Sequence, residues 1–64
     1  MDAEIVKKHW DLIKMVAVHE YIPNGANGAV IELKNNYNGN VDLWCGFCIV
    51  QMFKRIYAEH KDKI

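Results

Sequence analysis

The N-terminal segment, residues 2–21, carries the pattern that most constrains the fold. Apolar side chains recur in it at spacings of three and four residues, at Ala3, Val6, Trp10, Ile13, Ala17 and Tyr21. This spacing places them on one face of an α-helix, while acidic and basic residues occupy the opposite face. Asp2 suits the N-cap, because its carboxylate accepts bonds from unpaired N–H groups of the first turn. Pro23 disfavours helical geometry at the preceding residue, so we predict a helix over roughly residues 3–21.

The middle of the chain permits two interpretations. Two Asn-Gly pairs within residues 24–28 indicate turns, with positive φ angles at their glycines. Residues 29–34 then fit a strand, with Ile31 and Leu33 on one face and residues 41–44 as its partner. They also fit a helix over roughly 28–37 that is capped by Asn27. We favour the helix, because an isolated two-stranded hairpin is marginally stable.

A third helix is predicted over roughly residues 41–60, with Asn40 as its N-cap. Its predicted buried stripe consists of Val41, Cys45, Cys48, Ile49, Met52, Phe53, Ile56 and Tyr57. Gly46 interrupts this pattern and indicates either a close backbone approach or a later helix start. The sequence therefore predicts a single all-α domain of three helices over residues 1–64. The alternative architecture is α-β-β-α, with a small hairpin at 29–44.

Apolar residues make up 52% of this 64-residue chain. A domain of this size buries only about 60% of the surface that its unfolded form exposes, and a partner often covers the apolar surface that remains. We therefore expect a non-enzymatic module that self-associates or binds another protein. The candidate interface residues are Trp10, Ile13, Ala17, Tyr21, Trp44 and Tyr57.

Charge and hydropathy argue against two other kinds of partner. Eight basic and eight acidic side chains give a formal net charge of zero, whereas nucleic-acid binding normally needs a basic surplus. No stretch approaches the roughly 18 apolar residues that span a bilayer. Acidic residues precede any apolar stretch at the N-terminus, unlike in a secretory signal. We expect a cytoplasmic protein that binds neither nucleic acid nor membranes.

The segment Trp44-Cys45-Gly46-Phe47-Cys48 resembles the Trp-Cys-Gly-Pro-Cys active site of thioredoxin-like proteins, with Phe47 in place of the usual proline. The resemblance covers five residues and implies a thiol-redox site, in which a cysteine at a helix N-terminus attacks disulfides. Alternatively, the cysteine pair supplies two zinc ligands, and His9 is the nearest candidate for a third. The simplest interpretation is that both cysteines lie in the core and that no cofactor is bound.

The second half of the chain is also similar to small proteins encoded by bacteriophages of Bacteroides-type hosts. The residues that carry this similarity are Leu33, Tyr37-Asn38-Gly39, the pair Cys45 and Cys48, and Met52. The resemblance implies a helical fold and an accessory or structural role in a virus, within the host cytoplasm.

Overall fold

The computed structural model describes residues 2–64, and over this range the chain forms four α-helices and no strand. They are α1 (Ala3–Lys8), α2 (Trp10–His19), α3 (Asn27–Asn36) and α4 (Gly46–His60). The prediction of an all-α fold is confirmed. The alternative with a hairpin at 29–44 is wrong, because residues 29–36 are helical and residues 37–45 form an irregular connection.

The predicted first helix is divided into α1 and α2 at His9, so residues 2–64 form four helices where three were predicted. His9 has φ −109° and ψ 18°, which departs from regular helical geometry. Its Nε2 atom donates a hydrogen bond to Glu32 Oε1 on α3, and Lys8 Nζ lies 3.3 Å from the same oxygen. The break therefore coincides with contacts that draw residues 8 and 9 towards α3.

The end of α2 differs slightly from the prediction. The helix ends at His19 because Glu20 adopts a left-handed conformation, with φ 55° and ψ 39°. The backbone N–H of Glu20 still donates to the carbonyl oxygen of Val16 at 2.8 Å, which satisfies one of the last carbonyls of the helix. The predicted helix over 3–21 was thus too long, and residues 20–26 carry the chain into α3.

The middle segment is helical, as predicted, over Asn27–Asn36 instead of 28–37. Ala26 occupies the N-cap position, so the prediction that Asn27 caps the helix is wrong. Only Gly25 of the two turn glycines has a positive φ, of 88°, whereas Gly28 lies inside the first turn of α3. Tyr37 takes an extended conformation and ends the helix.

The predicted start of the last helix, at residue 41 with Asn40 as N-cap, is also wrong. α4 begins at Gly46, and Cys45 is its N-cap. The carboxylate of Asp42 accepts a hydrogen bond from the Trp44 N–H at 2.9 Å, and the Asp42 carbonyl accepts one from the Cys45 N–H at 3.1 Å. These bonds form a turn that competes with helix over 42–45. Gly46 therefore marks a late helix start. Apart from its chain neighbours and its own helix backbone, no atom of residues 2–64 lies within 4 Å of its Cβ position to indicate a close approach.

A single apolar core joins the helices. α2 packs mainly against α4, and α3 contributes two of its own apolar side chains to the same cluster. The buried apolar residues are Val6, Ile13, Val16, Ala26, Val30, Leu33, Ile49, Val50, Met52, Phe53 and Ile56. The core thus contains neither cysteine and ends at the first turn of α4.

Candidate functional site

Large apolar side chains remain exposed around the first turn of α4. Trp44, which immediately precedes the N-cap, is 96% exposed, and Phe47 in the first turn is 71% exposed. Tyr21 is 59% exposed, and Ile31 and Leu43 are exposed to a smaller extent. We call these five residues the apolar surface; Ile31, Leu43 and Trp44 line one cleft, and Tyr21 and Phe47 line another. A large exposed apolar patch on a small domain is typical of a protein-binding site.

Two open clefts lie within this surface, each with a cavity volume of a little over 300 Å³. The first is lined by Asn27, Val30, Ile31, Leu43, Trp44 and Ile49. The second is lined by Glu20, Tyr21, Ile22, Gly46, Phe47 and Val50. Ile49 and Val50 are core residues, so the clefts reach the edge of the core on neighbouring sides of α4. Their lining is mostly apolar, which suits another apolar side chain better than a charged ligand.

The six predicted interface residues do not form one surface. Ile13 is fully buried within the chain and is unavailable to a partner, because it faces the core from the centre of α2. Trp10 and Tyr57 are half-buried and stack on each other, with ring centroids 5.3 Å apart. Ala17 is half-buried. Only Tyr21 and Trp44 of the predicted set belong to the apolar surface.

Sequence reasoning missed Phe47, Leu43 and Ile31 as surface residues. Leu43 was expected on a helix or strand, and it lies instead in the turn before α4. Phe47 precedes the buried Val50 by three residues, a spacing that periodicity assigns to the same helical face. Phe47 is nevertheless exposed, and it lines the cleft that contains Tyr21.

The two cysteines lie at the N-terminus of α4 and are free thiols, each partly exposed. The prediction that both lie on the buried stripe is therefore wrong. Cys45 has extended backbone geometry, and its Sγ accepts a hydrogen bond from the Cys48 N–H at 3.3 Å. This bond satisfies one of the N–H groups left unpaired at the helix start. The pair thus occupies the position where a helix favours negative charge.

The surroundings of the pair make the thiols inequivalent. The side chain of Cys48, followed by the backbone N–H groups of Cys48 and Phe47, lowers the pKa of Cys45, because these donors stabilise its thiolate. The same contact with Cys45, together with partial burial, raises the pKa of Cys48. The negative charge of Asp42 opposes ionisation of both thiols. Cys45 therefore ionises more readily than Cys48.

The structure does not place His9 with the cysteines. Its ring bonds to Glu32 on α3, and this contact lowers the pKa of Glu32, with a further contribution from Lys8. Within residues 2–64, no group of three or more His, Cys, Asp and Glu side chains is arranged to hold a metal ion. The chain thus brings together two thiols without the third ligand that the zinc alternative assigned to His9.

No protein-family model matches this chain, and no curated protein or solved structure matches it. The similarities to phage-encoded proteins and to the thioredoxin-like motif therefore remain predictions. Across the described part of the chain, every helix is too short or too polar to cross a membrane. The geometry around α4 is consequently the basis for a functional proposal.

Proposed function

We propose that this protein is a non-enzymatic self-association module whose interface is the apolar surface around the start of α4. The exposure of Trp44 carries the proposal. An indole side chain that is 96% exposed makes almost no contribution to its own fold, although covering it releases a large apolar area from water. Phe47, three residues further along the chain, is also exposed and lines the second cleft.

The size of the surface is compatible with a small interface. An aromatic side chain covers about 150–250 Å², so the exposed parts of Tyr21, Trp44 and Phe47 amount to roughly 450 Å². The smallest stable interfaces bury about 600 Å² on each partner. Ile31 and Leu43 supply much of the remaining area. The surface is therefore large enough for a weak or moderate dimer.

The shape of the surface favours a second copy of the chain as the partner. A two-fold symmetric interface uses the same patch on both subunits, so the patch must contain both a protruding group and a receptor for it. Trp44 is almost fully exposed and forms one wall of an apolar cleft, which it lines together with Ile31 and Leu43. Trp44 of each copy then enters the corresponding cleft of the other copy. An unrelated protein with an exposed aromatic side chain is the alternative partner.

Sedimentation velocity over a range of protein concentrations tests this proposal. We expect the wild type to shift from monomer to dimer as its concentration rises, and the double variant Trp44→Ser/Phe47→Ser to remain monomeric. Val18→Ser is the matched control, since Val18 is 60% exposed on α2 and lines neither cleft. The control should dimerise like the wild type. A double variant that dimerises normally would refute the interface, and a wild type that stays monomeric would refute the second copy as partner.

A further inference from the structure

We infer that Glu32 on α3 imposes the break at His9, and that residues 3–19 form one continuous helix once the Glu32 carboxylate is neutralised or removed. The segment is thus a two-state element, and a single side chain on another helix selects between its two forms. The inference is independent of the proposed self-association, because none of the residues that carry it belongs to the apolar surface.

Nothing in the local sequence requires the break. Residues 3–19 contain neither proline nor glycine, the residues that most often interrupt a helix. Val6 and Ile13 lie on either side of the break, seven residues apart, and both are 0% exposed. Seven residues make nearly two full turns of an α-helix, so the core accepts the register of an uninterrupted helix.

The distortion of the backbone is confined to one residue. His9 departs from helical geometry, yet its N–H donates to the Ile5 carbonyl oxygen at 3.2 Å and its own carbonyl accepts from the Ile13 N–H at 2.9 Å. Trp10 is the first residue of α2, so its N–H has no partner inside that helix. In a continuous helix this N–H donates to the Val6 carbonyl oxygen. Removal of the break therefore requires only a local rotation and adds a backbone hydrogen bond.

Two donors from adjacent residues converge on one oxygen of Glu32. Lys8 Nζ lies 3.3 Å from Glu32 Oε1, and the His9 ring bonds to the same atom. Neighbouring side chains on a regular helix diverge by about 100°, because the helix has about 3.6 residues per turn. The irregular backbone at His9 lets both side chains point towards α3. The His9 side chain is only 15% exposed, so solvent screens this contact less than it screens a surface ion pair.

The contact depends on the ionised form of Glu32. Within residues 2–64, the charged or titratable groups that face its carboxylate are His9 and Lys8, and their hydrogen bonds lower the pKa of Glu32. Protonation of Glu32 removes the charge that attracts both donors. Because the pKa in the folded protein lies below the ordinary value of 4.5, the broken form persists above pH 4.5 and is lost as the pH falls through the lowered pKa. Acid therefore favours the continuous helix.

NMR spectroscopy of the full chain tests the inference at the break itself. In Glu32→Ala at neutral pH, we expect the His9 Cα chemical shift to move to the value of a regular helix. The Trp10 N–H should also exchange with deuterated solvent more slowly than in the wild type, because it gains a helical partner. Lys54→Ala is the matched control: it removes the Lys54–Glu20 ion pair, which involves no residue of α1 or α3. The control should retain the wild-type shift and exchange rate.

A pH titration of the same signals provides the second readout. Below pH 4.5, the His9 Cα shift of the wild type should move towards the value found in Glu32→Ala, and Lys54→Ala should show the same step. Glu32→Ala itself should show no such step, since it lacks the carboxylate. A break that persists in Glu32→Ala at neutral pH, an equal change in Lys54→Ala, or an acid step that remains in Glu32→Ala would each overturn the inference.

Discussion

The register of α3 can be tested by truncating two side chains that lie two residues apart, in the variants Leu33→Ala and Ile31→Ala. A strand over 29–34 would place both side chains on one face, and their truncation would then have similar effects. The helix Asn27–Asn36 separates them, because Leu33 is 0% exposed and Ile31 is 47% exposed. Comparing the two variants thus distinguishes the observed helix from the strand that the sequence also permitted.

The expected magnitudes follow from burial. Truncation of a fully buried leucine to alanine costs about 2.7–5.0 kcal/mol, the larger values applying where the cavity does not collapse. A 64-residue domain has a free energy of unfolding of roughly 3–10 kcal/mol, so Leu33→Ala should remove about a quarter of it or more. Ile31→Ala should change it by less than about 0.5 kcal/mol, since alanine has the higher helix propensity at this half-exposed site.

Urea denaturation followed by far-UV circular dichroism measures both effects. The protein concentration must be low enough to keep the chain monomeric, since Ile31 belongs to the proposed interface and association would add its own stabilisation. We expect the denaturation midpoint of Leu33→Ala to fall strongly with an unchanged slope, and that of Ile31→Ala to stay near the wild-type value. Similar losses for the two variants would refute the helical register of this segment.

Two further predictions concern charge and backbone conformation. The pKa of Glu32 is lowered by His9 and Lys8 and that of Glu20 by Lys54, so both carboxylates stabilise the fold above their ordinary pKa of 4.5. This stabilisation should be lost as the pH falls below about 4.5. In Glu32→Gln, the free energy of unfolding should therefore depend less on pH in the acid range. Gly25→Ala should lower the free energy of unfolding by about 1 kcal/mol because of its positive φ. Gly28→Ala, in the first turn of α3, should raise the free energy of unfolding by about 0.5–1 kcal/mol. Urea titrations in which both glycine variants are stabilised, or both destabilised, would contradict this.

Much of the fold could be predicted because the side chains that the apolar spacing assigns to the core are the ones that are buried. The spacing of Val6, Ile13 and Val16 predicts a helical face, and all three are buried. Val30 and Leu33 are likewise buried at the spacing expected for a helix. The break at His9 could not be predicted in this way. No proline or glycine marks it, and it coincides with a contact to Glu32, 23 residues further along the chain.

The candidate site was harder to predict than the core. Helical periodicity assigns apolar residues to a buried face, but it gives no information on which of them the chain fails to cover. It therefore placed Ile13 in the interface, although the core encloses it, and missed Phe47. The cysteine pair was found from its motif, but its role as a helix cap depended on where α4 begins.

The late start of α4 accounts for both features of the site. A helix from residue 41 would place Leu43 and Trp44 in its first turn and Cys45 at the start of its second, and Cys45 would join the buried stripe. The Asp42 turn ends at Cys45 instead, so Trp44 projects into solvent and the Cys45 sulfur caps the helix. The same turn thus leaves Trp44 exposed and Cys45 at the N-cap, where the Cys48 N–H donates to its sulfur. Asp42→Ala removes the acceptor for the Trp44 N–H, so it should disturb both the association of the protein and the reactivity of its thiols. Asp42→Asn keeps that acceptor and should alter only the reactivity of the thiols.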